Sequence, residues 1–195
     1  MQQALDAFEQ AMVRARELHG LHASLSAQLT AAVDLSDILR SEIVMAVSAF
    51  DFFIHELTRL GMLECYGAIR NRTDAFNKFP IPIGVMIGVT PATLEAEIRS
   101  RHGYVSFQQP DKVADAVRLF SPVSLWVEVG ASVGVDAKTL KTNFGLIVDR
   151  RNKIAHEADI DPSYPNQRWP IDRAQVEYTF DLVERVARAI FAVTV

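Results

Sequence analysis

Cysteine is almost missing from this chain: Cys65 stands alone among 195 residues. A single thiol forms no intrachain disulfide, so a disulfide framework is excluded and a reducing compartment is expected. Long hydrophobic runs are missing too. The most apolar stretch, Ile43 to Ile54, is interrupted by Ser48 and Asp51 and is shorter than the roughly 18–20 residues of a membrane span. The start, Met1-Gln2-Gln3-Ala4-Leu5-Asp6, lacks the basic-then-apolar order of a secretory leader. These absences lead us to expect a cytoplasmic protein without a membrane partner. Positive charge is not in excess: 20 Lys and Arg against 24 Asp and Glu give a net charge of −4. Any nucleic-acid site must therefore rest on a local cluster. There is no glycine-rich phosphate loop and no Gly-x-Ser-x-Gly elbow. His19 and His22 are three apart on a helical pattern, but no further ligand lies near them in sequence, so neither a metal nor a cofactor is expected.

What is present is core material. Hydrophobic residues make up 49% and charged residues 23%, enough for a packed globular domain, and the length fits one domain over 1–195. Leu5, Phe8, Met12, Ala15 and Leu18 recur at helical spacing and predict a first helix over about Gln2 to Leu18. A second opens near Asp34 or Ser36 and carries a broad apolar face from Ile38 to Leu57, as a central helix would; Gly61 is its expected stop. The stretch Phe79-Pro80-Ile81-Pro82-Ile83-Gly84 reads as an apolar loop, and Val85 to Val89 is the one weak strand candidate. Thr90-Pro91, Gln109-Pro110-Asp111 and Ser121-Pro122 each open a helix, the second running through Phe120. Asp136 caps a long helix from about Ala137 to Glu157, Asp161 to Pro170 is a turn-rich loop, and Asp172 with Gln175 resembles a capping box that opens a last helix to about Val193. The fold class is all-α, a helical bundle without a significant sheet.

One segment stands apart. Asp149-Arg150-Arg151-Asn152-Lys153-Ile154-Ala155-His156-Glu157 sets three cations and a histidine at the end of the long helix, with Lys138 and Lys141 earlier on it. In an acidic chain this is a local positive patch suited to a polyanion. Asn152 and His156, four apart, share a helix face. Arg151 lies five before His156, about 140° around the helix, so the two reach a common point through the length of arginine or through a second protomer. On helix two, Asp51 and His55 also share a face; Asp51 can orient Arg151 and His55 can join the site, or both can serve as buried hydrogen-bonding groups.

The block Arg150-Arg151-Asn152-Lys153-Ile154-Ala155-His156, an arginine, a polar residue and a histidine at an interval of five, resembles the active-site signature of the HEPN superfamily. The signature allows four to six residues between arginine and histidine, and Arg14–His19 and Arg16–His22 satisfy it too, so the weight falls on the surroundings. Asp37-Ile38-Leu39-Arg40 with Val44 to Leu57 resembles the early core helix of the RiboL-PSP-HEPN branch, and Phe107-Gln108-Gln109-Pro110-Asp111-Lys112-Val113 resembles its middle segment. The likeness spans about Asp34 to Phe191. It implies an HEPN-like helical bundle that dimerises, with arginine and histidine of both protomers near the two-fold axis, and a metal-independent endoribonuclease of the toxin, phage-defence or RNA-processing kind. Carried over, Arg151 and His156 form the catalytic pair and Asn152 is the polar neighbour; Arg150 can stand in for Arg151, and Lys153 supports the patch. Some HEPN toxins carry a tyrosine two residues after the histidine, a target of modification; here that position is Ala158. A separate antitoxin or targeting partner would then provide control.

The chemistry fits the residue types independently of the likeness. RNA brings its own nucleophile, the 2′-hydroxyl. Cleavage needs a proton acceptor or donor near neutral pH, the role of histidine, and a forked cation on the phosphate, the role of arginine. The product is a 2′,3′-cyclic phosphate, and DNA is not cut. A non-catalytic HEPN module that binds RNA or nucleotide, or only dimerises, is the second reading, and a helical partner protein the third.

Overall fold

Helices begin where side chains satisfy the free N–H groups of a first turn. The computed structural model describes residues 1–30, 32–164 and 166–195. Within them the helices are α1 (Gln2–Gln28), α2 (Ser36–Tyr66), α3 (Asp74–Asn77), α4 (Ile83–Met86), α5 (Pro91–His102), α6 (Pro110–Arg118), α7 (Leu125–Val133), α8 (Ala137–His156) and α9 (Arg173–Thr194). Thr90 Oγ1 accepts from Thr93 N at 3.2 Å, Asp136 Oδ1 from Thr139 N at 2.9 Å, and Asp172 Oδ1 from Gln175 N at 2.8 Å. Pro91 and Pro110 open α5 and α6, where their missing N–H is not needed. The fold is all-helical, as the periodicity predicts. Among the described residues there is no strand; one isolated bridge pairs Ile160 with Arg168. None of these helices is long and apolar enough to cross a membrane.

α2 is the central helix and packs against α1, α5, α6, α8 and α9. Its Phe50, Phe53, Ile54 and Leu57 are fully buried. Phe8 of α1 meets Phe53 at 5.5 Å between ring centroids, and Phe144 of α8 meets Phe50 at 4.7 Å. Each such aromatic contributes about 1.5–3 kcal/mol on leaving water, far above the few tenths by which helix propensities differ. Packing therefore decides which helices form.

That ordering explains the departures from the sequence reading. α1 continues past Leu18, through Gly20, to Gln28, because His19 and His22 are drawn against the bundle. Gly61 does not stop α2. It lies inside the helix, buried, and a Cβ there would fall within the ring of Phe120. The glycine is a seat for that ring, which is why α6 ends at Arg118 and α7 begins only at Leu125: residues 119–124 carry Phe120 into the core. The strand candidate Val85 to Val89 instead contributes to the single turn of α4, with no neighbouring strand to pair with. In the 161–170 loop, Pro165 lies outside the described residues; the remainder is turn-rich, as expected.

Gly61→Ala is expected to lower the free energy of unfolding by at least about 1 kcal/mol in urea titration, because overpacking outweighs the gain in helix propensity. If alanine instead stabilises the protein, Phe120 does not depend on that gap.

Candidate functional site

The buried stripe of α8 is Leu140, Phe144, Ile147 and Val148. Arg151, four residues past Ile147, extends that stripe to the end of the bundle. It is half-buried; its Nη1 donates to Asn152 Oδ1 at 3.1 Å, and its Nε is buried without a partner among the described residues. His156 leaves the helix in another direction. Its ring is exposed and meets no hydrogen-bonding partner among the described residues. Asn152 and His156 share a face, as their spacing requires, while the Asn152 oxygen is engaged by Arg151. Within one chain Arg151 and His156 lie about 140° apart around the helix, and no hydrogen bond joins them among the described residues.

Arg150 has a different task. Asp159, 1% exposed, lies between two arginines: Arg40 Nε donates to its Oδ2 at 2.7 Å, and Arg150 Nη1 forms an ion pair with its Oδ1 at 2.6 Å, though off the line of a good hydrogen bond. The carbonyl of Trp169 accepts from Arg40 at 2.8 Å and Arg150 at 3.3 Å, and that of Pro170 accepts from Arg150 at 3.1 Å. Burial pushes the Arg150 guanidinium below its ordinary pKa, and the Asp159 charge opposes that shift. To reach this position, the chain places Ala158 and Asp159 in the left-handed region, at φ of 52° and 58°. Two consecutive non-glycine residues there are strained, and the ion cluster over-determines them. Arg168 adds a second tie by pairing with Asp34, at 2.9 Å, and with Asp37 at the start of α2.

Lys153 sits over the Trp169 ring at 5.0 Å. Beside it opens a cleft of about 470 Å³ lined by Asp149, Arg150, Asn152, Lys153, Glu157 and Trp169, among others. The positive patch is narrower than the sequence suggests: Lys141 pairs with Asp111 at 2.7 Å, and Asp149 and Glu157 line the same cleft as the cations.

Asp51 and His55 lie elsewhere. Arg40 and Arg150 meet through Asp159 while Phe50 meets Phe144, so α2 and α8 run antiparallel. Asp51 is then about 16 Å along α2 from Arg40, the level of Arg151. Its Oδ1 accepts from Phe107 N at 2.7 Å, and His55 Nε2 lies 3.1 Å from the Val105 carbonyl oxygen. The pair pins the 103–109 connection to α2.

Two histidine environments escaped the sequence reading. His102 is 8% exposed, packed among Phe79, Phe107 and His55. Burial, and secondarily the His55 charge, push its pKa from 6.5 down to about 4. His19 binds Glu42 of α2 at 2.8 Å and Glu177 of α9 at 3.1 Å. The apolar pattern around residue 102 gave a weak signal for the first; nothing local in the sequence announces the second. Among the described residues, no group of three or more His, Cys, Asp or Glu side chains assembles at metal-binding distance.

No family model matches the chain, and no characterised protein and no solved structure is significantly similar to it.

Asp159→Ala is expected to cost about 3–5 kcal/mol in urea unfolding, because it leaves Arg40 and Arg150 buried without their counter-charge; a loss below about 1 kcal/mol contradicts the clamp. The His102 effect has a definite sign. Its folded pKa lies below the unfolded value, so the unfolded chain binds the extra proton, and stability falls as pH drops from about 6.5 to about 4. The total approaches ~3 kcal/mol. His102→Phe should lose distinctly less over that window when chemical unfolding is compared at its two ends; parallel losses rule this origin out.

Proposed function

We propose that this chain is a metal-independent endoribonuclease of the HEPN superfamily, in its RiboL-PSP-HEPN branch, acting as a homodimer. The observation that carries the reading is the end of α8: Asn152 and Lys153 line a cleft of about 470 Å³, and the ring of His156, one turn past Asn152, is exposed and without a hydrogen-bond partner among the described residues, in a chain of net charge −4. His156 takes the proton of a 2′-hydroxyl, O2′ attacks the phosphorus, and the P–O5′ bond breaks as O5′ gains a proton. The products are a 2′,3′-cyclic phosphate and a 5′-hydroxyl. Arginine stabilises charge on the non-bridging oxygens. Arg150 is committed to Asp159, so Arg151 is the arginine free for this task, supplied to His156 by a second copy. An apolar groove of about 400 Å³ between α8 and α9, with Leu146 63% exposed and Tyr178 49% exposed, supports self-association beside the cleft. A separate antitoxin or regulatory protein would restrain the activity.

The second reading, an HEPN module that binds RNA or nucleotide without cutting it, draws on the direction of Arg151. It continues the core-facing stripe, about 140° from His156, and its hydrogen bond goes to its own neighbour Asn152.

The full chain should cleave single-stranded or structured RNA in chelator and leave a 2′,3′-cyclic end. His156→Ala should reduce the rate by on the order of 10²–10⁴, and a 2′-deoxy substitution at the cut should block it. Mixing His156→Ala with Arg151→Ala should restore part of the rate through composite dimers. Binding without cleavage selects the second reading, and no binding overturns both.

A further inference from the structure

The end of α1, the first turns of α2 and the start of α9 enclose a cleft of about 450 Å³ that shares no residue with the one beside Asn152. Leu35, Leu39 and Ile171 give it an apolar wall; His22, Ser36 and Arg173 give it a polar one. Behind the polar wall stands a buried dyad. Glu42 is 0% exposed; its Oε2 lies 2.8 Å from His19 Nδ1, and its Oε1 has no hydrogen-bond partner among the described residues. His22 is 8% exposed, lines the cleft, and likewise has an unpartnered Nδ1. Burial raises the Glu42 pKa and lowers that of His22, the latter with help from the Arg173 charge. A glutamate between Leu39 and Ala46 on a core-facing helix is costly, and an apolar residue would pack there at less expense. Perturbed groups of this kind gathered at a cleft mark functional sites.

The geometry also shows what the cleft lacks. Arg173 Nε and Nη2 both lie 3.2 Å from His19 Nε2, and Glu177 Oε1 lies 3.1 Å from the same nitrogen; with Nε2 unprotonated it accepts from Arg173, and with Nε2 protonated it donates to Glu177. The nearest carboxylate, Glu177, is 3.9 Å from Arg173. Asp172 also lines the cleft, but its Oδ1 is occupied by the Gln175 N–H. The guanidinium, 49% exposed, thus stands against the dyad with only a long ion pair to the half-exposed Glu177, which an incoming anion can displace. It also sits at the first position of a 22-residue helix, where the helix dipole favours negative charge.

We propose that this cleft binds a small organic anion, an apolar body ending in a carboxylate or phosphate, with Arg173 forking onto the anionic end and Leu39 and Ile171 covering the body. The Glu42–His19 pair is a positioning device that holds Arg173 at the cleft mouth until the stronger acceptor arrives.

Calorimetry on the full chain with hexanoate, hexyl phosphate and hexanol tests this. The two anions separate carboxylate from phosphate, and the alcohol carries the same body without charge. At least one anion should bind on the order of tenfold more tightly than hexanol. Arg173→Gln should abolish that advantage, and Arg173→Lys should keep part of it, with unchanged thermal melting for both. Amide shifts should gather at residues 22–39 and 171–173. No anion binding up to about 10 mM, equal binding of hexanol, unchanged affinity in Arg173→Gln, or shifts gathered instead around 146–157 each overturn the proposal.

Discussion

A buried carboxylate between two arginines joins parts of the chain 119 residues apart in sequence. Asp159 sits against Arg40 of α2 and Arg150 of α8, and the carbonyls of Trp169 and Pro170 and the Ser36 hydroxyl accept from further N–H groups of the two arginines. Such a cluster is not valuable because charges attract; desolvation consumes most of that attraction. Its force lies in asymmetry. Each member is tolerable in the interior only while the others are present, so the cluster admits one arrangement of α2, α8 and the loop after α8. The cleft beside Asn152 and Lys153 and the exposure of His156 depend on that arrangement.

The two clefts follow different electrostatic rules. Beside Asn152, Arg150 and Lys153 share the lining with Asp149 and Glu157, so the charge there is mixed. Beside Arg173 there is one forked cation, an apolar wall and a buried dyad, which suits a single anionic group. The proposed ribonuclease reading concerns the first cleft only, and the second stands or falls without it.

The helical framework was legible because its signals are local. Thr90-Pro91, Asp136 and Asp172 announce helix starts, and the spacing of Leu5, Phe8, Met12, Ala15 and Leu18 announces a helical stripe; the starts behave as read, and in the stripe Phe8, Met12 and Ala15 are buried while Leu5 and Leu18 are half-buried. Gly61 was misread because a glycine that ends a helix and one that seats a ring from elsewhere look identical until Phe120 is placed. Arg150 and Arg151 are neighbours of identical chemistry, and only the position of Asp159 distinguishes the structural cation from the available one. The Glu42–His19 pair spans 23 residues, beyond the reach of any spacing rule for one helix. The outward face of His156 follows from helix periodicity alone, but what would complete a site around it lies beyond a single chain's pattern.

The left-handed pair Ala158–Asp159 also bears on how the molecule opens. A surface turn ordinarily frays long before its domain unfolds. This one is strained by itself and is held only by side chains anchored in α2 and α8, so it has no favourable partly open form. The amide of Trp169, which donates to the Asp159 carbonyl at 2.9 Å, is thereby tied to the same cooperative unit as the core. At Trp169 the chain is a loop by shape, yet its amide is expected to open with the bundle and not by local fraying.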